Sequence, residues 1–179
     1  MIFYLIGYPF CGKSTLGEKL SLKFGIKHID FDKYLEDYVG KSIPEIWALD
    51  GDGEIFRKLE RNALINLHHI LNKNENVIIS LGGGTPCHYD NMELLNKSGI
   101  TIYLKTSFNI LFKRIMDDPF SRPKFKKLIN LSRSEAEKII FDELKEREKY
   151  YLKANIVIDN DEGINFEWTE PEPTWVERT

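Results

Sequence analysis

Near the amino terminus the residues Gly7-Tyr8-Pro9-Phe10-Cys11-Gly12-Lys13-Ser14-Thr15 carry the spacing G-x-x-x-x-G-K-S of a phosphate-binding loop. An apolar run, residues 2–6, precedes it and an amphipathic segment, residues 16–24, follows. That is the strand–loop–helix context such a loop requires. Backbone N–H groups then turn inward and the helix N-terminus adds partial positive charge, so a di- or triphosphate is held mostly by main chain. Lys13 would reach the β- and γ-phosphates, and the Ser14 hydroxyl would ligate Mg²⁺. The plain alternative is a glycine turn before a surface lysine, and the flanking strand and helix weigh against it. Cys11, inside the loop where a small side chain is wanted, reads as packing rather than as a nucleophile. The chain is expected to bind a nucleotide.

Phosphoryl transfer with a metal also needs an acid near the ion. The apolar runs at 77–81 and 100–104 do not end in Asp, so the usual second-motif carboxylate is missing there. A guanine-reading N-K-x-D is missing too; Asn96-Lys97-Ser98-Gly99 is the nearest approach. Asp30 stands at the carboxyl end of a second strand, where ligands gather in open parallel sheets. Two readings of Asp30-Phe31-Asp32 stand side by side. One acid joins the metal shell while the other orients or deprotonates an acceptor hydroxyl, or the pair simply caps the next helix.

Arg57 and Glu60 lie at i and i+3 beside the apolar stripe of a long helix. They are either a solvated flank or a guanidinium held by its carboxylate and aimed at an anionic group. Gly82-Gly83-Gly84, after a strand, is a flexible turn or a place where backbone approaches a ligand too closely for any β-carbon. Arg147 could merely complement a helix dipole. Arg122, in a basic loop, is an exposed charge or a lid residue closing over the transferring phosphate.

The elements that must position these residues alternate regularly. Strands are expected at residues 2–6, 26–30, 76–81, 100–104 and 155–159. Helices are expected at 16–24, 33–39 (stopping at Gly40), about 52–71, 91–96, 108–116 and 132–150. Ser42-Ile43-Pro44-Glu45 and Ser132-Arg133-Ser134-Glu135 are capping-box starts, the first for a short helix carrying Trp47 and ending at Gly51. Residues 117–131 read as a mobile loop. This alternation predicts an α/β domain, a five-stranded parallel sheet wrapped by helices on both faces. The pattern stops at Asn160, which predicts a domain over 1–159 and an acidic tail over 160–179 with little regular structure.

With 179 residues the chain suits one domain, and a net charge of −3 gives no basic field for nucleic acid. No apolar run approaches a membrane span and no secretory signal is visible. Two cysteines, Cys11 and Cys87, offer neither metal-ligand spacing nor a disulfide framework, which fits a reducing cytoplasm.

The ordered set Gly7 to Thr15, Asp30-Phe31-Asp32, Phe56-Arg57-x-x-Glu60, Gly82-Gly83-Gly84, Arg122-Pro123 and Glu146-Arg147-x-x-Tyr150-Tyr151 resembles the shikimate kinases, from residue 2 to about 159. The resemblance implies a P-loop fold of the nucleoside-monophosphate-kinase type with a mobile lid over about 117–131. It implies ATP as co-substrate, Mg²⁺, and phosphorylation of the 3-hydroxyl of shikimate in aromatic amino-acid biosynthesis by a cytoplasmic monomer. Carried over by position, Gly7, Phe10, Cys11, Gly12, Lys13, Ser14 and Thr15 form the nucleotide cradle, Ser14 and Asp30 the metal shell, and Asp32 the candidate base. Arg57 and Arg147 clamp the substrate carboxylate beside Gly82, Gly83 and Gly84. Lys13 and Arg122 stabilise the phosphoryl group, and Arg114 matches the adenine-stacking position.

Three departures stand out. Phe10 replaces the family's usual glycine, the lid reads Arg-Pro-Lys-Phe rather than Arg-Pro followed by leucines, and Asp161-Glu162-Gly163 stands where the family often has an adenine-contacting base. Two other functions remain open at this level: a kinase for gluconate or a nucleoside monophosphate, and a nucleotide-binding partner protein with weakened catalysis.

Overall fold

A computed structural model describes residues 1–49, 53–71, 75–120 and 123–161 of the chain. The elements run β1 (Ile2–Ile6), α1 (Lys13–Phe24), β2 (Lys27–Asp30), α2 (Phe31–Val39), α3 (Ile43–Trp47), α4 (Glu54–Ile70), β3 (Val77–Ser80), α5 (Asn91–Ser98), β4 (Ile100–Lys105), α6 (Phe108–Asp117), α7 (Pro123–Lys126), α8 (Arg133–Tyr151) and β5 (Ile156–Asp159). All five strands are parallel, in the order β2-β3-β1-β4-β5, with helices on both faces of the sheet.

Burial follows that order. Interior strand β3 is buried along its whole length, while edge strands β2 and β5 are only partly covered. This is what a sheet sandwiched by helices demands of its Val/Ile-rich middle. Tyr4, Leu5 and Ile6 of β1 meet Leu64 and Leu67 of α4 and Tyr103 of β4 in one continuous core. The Tyr4 hydroxyl, carried into that core, is matched by His68 Nε2 at 2.6 Å and Ser98 Oγ at 3.0 Å.

Both capping boxes form. Ser42 N–H donates to Glu45 Oε2 (2.8 Å), and Ser132 N–H donates to Glu135 Oε2 (2.8 Å), fixing where α3 and α8 begin. Three local expectations are corrected. The α3 helix stops at Trp47, four residues before Gly51, where Ala48 N–H closes the last turn onto Pro44 O, and the Trp47 indole stacks on Phe56 (4.8 Å between centroids). Residues 117–131 are not a bare loop: they hold α7 and a 3₁₀ segment, Lys127–Asn130, anchored by buried Phe125 and Leu128. Asn160 and Asp161, assigned to the tail, are tied to the domain; Asn160 N–H donates to Lys105 O (2.7 Å), and Ser107 N–H donates to Asp161 Oδ1 (2.6 Å). The rest of the predicted tail, 162–179, lies outside the described residues, as do Arg122 and Gly51. No described helix is long and apolar enough to cross a membrane.

Candidate active site

The carboxyl ends of the strands bring the chemistry together. The segment after β1 turns over the sheet and enters α1 through Gly12, whose backbone is left-handed (φ 93°). At Gly7 (φ 144°) a β-carbon would lie 2.9 Å from Leu104 O and 2.8 Å from Cys11 Sγ, so only glycine lets the loop turn there. Lys13 is 7% exposed, and its ammonium donates to Gly7 O (2.9 Å) and Tyr8 O (3.1 Å). Gly12, Lys13, Ser14 and Thr15 open onto a cavity of about 590 Å³ that also takes in Asp30, Asp32 and Arg114.

Strand order places the acid. Asp30 pairs in register with Ser80 on β3, next to β1, so its carboxylate stands beside the start of α1. Ser14 Oγ donates to Asp30 Oδ2 (2.7 Å), while Oδ1 accepts from Asp32 N (3.0 Å) and Lys33 N (3.3 Å). Helix capping and a contact with the phosphate-loop hydroxyl thus coexist on one carboxylate. Two hard oxygen donors meeting at the phosphate loop fit Mg²⁺, which takes few protein ligands and completes its shell with phosphate and water. No cluster of three or more His, Cys, Asp or Glu suited to a metal occurs among the described residues.

Asp32, one residue into α2, lies over the glycine triplet. A β-carbon on Gly82 would stand 2.8 Å from Asp32 Oδ1, one on Gly83 2.6 Å from Pro9 Cδ, and one on Gly84 would run into the Arg57 guanidinium. The triplet is therefore a junction on which three functional segments close, and that close approach is why it lacks side chains. Arg57 donates to Glu60 Oε2 (2.7 Å) and packs over Phe56 and Trp47, 4.9 and 5.6 Å from their centroids. Glu60, 2% exposed, also accepts from Thr85 Oγ1 (2.6 Å); burial raises its pKa, with Arg57 and Thr85 opposing.

On the far side of the triplet Tyr151 donates to Gly83 O, and Arg147, one turn back on α8, pairs with Glu143. The charges of Arg57 and Arg147 both bear on His88, Cys87 and Lys124, so the two side chains lie near one another's surroundings. Burial, then these arginines, lowers the His88 imidazole to about 4; burial pushes the Cys87 thiol up to about 11, which keeps it from acting as a nucleophile.

Phe10 adopts a left-handed backbone (φ 67°), the conformation glycine takes without strain. Its ring packs 5.7 Å edge-to-face from Phe125, and Phe10 is part of the cavity's lining. Arg114 Nη1 donates to Phe10 O (3.0 Å), which fixes the guanidinium at the cavity rim.

Two contributors escape the sequence reading. Glu143 gathers Tyr8, Lys124 and Arg147 on one carboxylate, and its only sequence signal is the i,i+4 spacing to Arg147. Asn160 Nδ2 donates to Cys11 O (2.5 Å), stitching the end of β5 to the phosphate loop, and nothing in the sequence marks it.

A shikimate kinase family model matches residues 9–169. The chain is 40% identical over 156 residues to a shikimate kinase of Parabacteroides distasonis, covering 87% of this chain and 86% of the relative. A crystal structure of shikimate kinase from Bacteroides thetaiotaomicron superposes with a TM-score of 0.78 at 33% identity, covering 89% of this chain and 86% of that one. Another, from Acinetobacter baumannii in complex with shikimate, gives 0.73 at 29% identity, covering 90% and 84%.

Proposed function

The chain belongs to the shikimate kinase family, and from that premise we propose that it transfers the γ-phosphoryl group of MgATP to the 3-hydroxyl of shikimate. The observation that carries this reading is a division of charge along one sheet edge. Lys13 and the Ser14–Asp30 pair serve a polyphosphate on one side, and Arg57 and Arg147 flank a glycine triplet on the other. Asp32 belongs to both, lining the nucleotide cavity and overlying Gly82.

Ser14 and Asp30 would hold Mg²⁺, which supplies neutralising charge to the β- and γ-phosphates when bound. Lys13 exchanges its two loop carbonyls for phosphate oxygens and stabilises the charge that develops there. Arg57, braced by Glu60 and Thr85, and Arg147, braced by Glu143, fix the substrate carboxylate; the planar fork of guanidinium suits that group. Asp32 then accepts or orients the proton of the 3-hydroxyl. Arg114 stacks on adenine, and Arg122, outside the described residues, adds charge to the phosphoryl group.

The test is release of ADP with shikimate, gluconate or a nucleoside monophosphate as acceptor. Turnover with shikimate alone is expected. Turnover with either of the other acceptors alone, or ATP binding with no acceptor used, overturns the assignment.

A further inference from the structure

Lys124 stands where the family's lid has leucine, and nothing in the proposed chemistry uses it. Its ammonium pairs with Glu143, and the same Glu143 oxygen pairs with Arg147. The other Glu143 oxygen accepts from the Tyr8 hydroxyl (3.0 Å), and the Arg147 guanidinium lies over the Tyr8 ring, 5.5 Å from its centroid. The lid, the phosphate loop and α8 are thereby joined at one carboxylate. Lys124 is held in place by its neighbour: Phe125 is buried between Tyr8 and Phe10, at 6.4 and 5.7 Å. Two departures from the family, Phe10 and the Lys-Phe of the lid, thus meet in a single contact.

The charges around this junction do not cancel. Lys124 and Arg147 share one Glu143 oxygen, so two cations meet a single carboxylate there. Lys127, on the lid beside Lys124, adds to the excess. Two cations on one carboxylate leave a net positive charge that a further anion would offset. The side chain keeps 43% of its surface exposed, which leaves the ammonium within reach of an incoming ligand.

We propose that Lys124 is a third cationic contact for the substrate carboxylate, delivered by the lid and aligned with Arg147 through Glu143. This rests on the reading of Arg57 and Arg147 as the carboxylate clamp. Family members with leucine at this position would bind the acid with two cations; this chain adds one and makes it part of lid docking.

The test is calorimetric titration, without nucleotide, of parent, Lys124→Met, Lys124→Arg and Arg57→Ala with shikimate and with its neutral methyl ester. ATP titrations and thermal melts of the same proteins run alongside. Lys124→Met is expected to weaken shikimate binding about tenfold, because it removes a charge-assisted hydrogen bond to the carboxylate, while leaving ester and ATP affinity unchanged; Lys124→Arg should retain most of the parent's affinity. Equal weakening for acid and ester would reduce Lys124 to a lid-packing residue and overturn the proposal, as would an affinity matching the parent. If Arg57→Ala also binds shikimate like the parent, the clamp itself is wrong and the proposal falls with it. If Arg57→Ala alone weakens binding, the clamp stands and only the role of Lys124 is overturned.

Discussion

Asp30 divides its two oxygens between structure and chemistry, one capping α2 and the other meeting Ser14. Asp32, on the first turn of the helix so capped, is held over Gly82. In the proposed mechanism Asp32 acts on the reacting hydroxyl and not on the carboxylate, so Asp32→Asn should lower kcat by roughly 10²–10⁴-fold with little change in the KM for ATP. Steady-state kinetics that left kcat intact would remove it from the chemistry. His88 makes a separate prediction about pH. Its imidazole protonates near 6.5 in the unfolded chain but only near 4 in the fold, where burial and then Arg57 and Arg147 oppose the charge. The unfolded state therefore binds more protons between those values, and stability must fall as pH drops from 6.5 towards 4. In urea melts at about pH 7 and about pH 5, His88→Gln should lose less stability on acidification than the parent. The recovered part should be at most about 1–2 kcal/mol, given the solvent screening of a half-exposed ring. Identical acid sensitivity in the two proteins would contradict this.

Lid and loop form one element-scale unit. The left-handed backbone of Phe10 costs of order 1–3 kcal/mol, and the ring it carries offsets part of that by packing on Phe125. The α7 helix is four residues long, too short to stand alone, so its order depends on Phe125 and Leu128 being buried. Phe125→Ala should therefore release residues 123–130 without melting the sheet. Hydrogen exchange should quicken there, while global stability falls by less than the ~3–5 kcal/mol usual for a truncated core phenylalanine. Uniformly faster exchange across β1, β3 and β4 would show instead that the lid belongs to the main core. The α8 helix is the lid's fixed counterpart: one face carries Glu143, Arg147 and Tyr151, successive turns that touch the lid, the clamp and the glycine triplet.

At the scale of the whole molecule the phosphate loop is tied to the residue that follows the last strand of the sheet. Asn160 is 4% exposed, extends the β4–β5 pairing through Lys105, and reaches Cys11 in the phosphate loop. Asn160→Ala should cost about 1–2 kcal/mol in denaturant melts, because it leaves a buried carbonyl without its donor. It should also raise the KM for ATP and spare that for shikimate; an equal rise in both would mean that Asn160 does not act through the loop.

The sequence by itself determined the phosphate loop, both capping boxes and the five parallel strands, and it named the candidate acids and arginines, because each is written in neighbours a few residues apart. Helix periodicity, glycine spacing and capping need no knowledge of the rest of the fold. The order β2-β3-β1-β4-β5 was decided only by tertiary packing, and with it the placing of Asp30 beside Ser14. The same is true of the approach of Arg57 to Gly84, the gathering of three side chains on Glu143, and the meeting of Phe10 with Phe125. Each joins residues far apart in the chain, and such contacts arise from which buried surfaces fit one another, a property that no local spacing encodes.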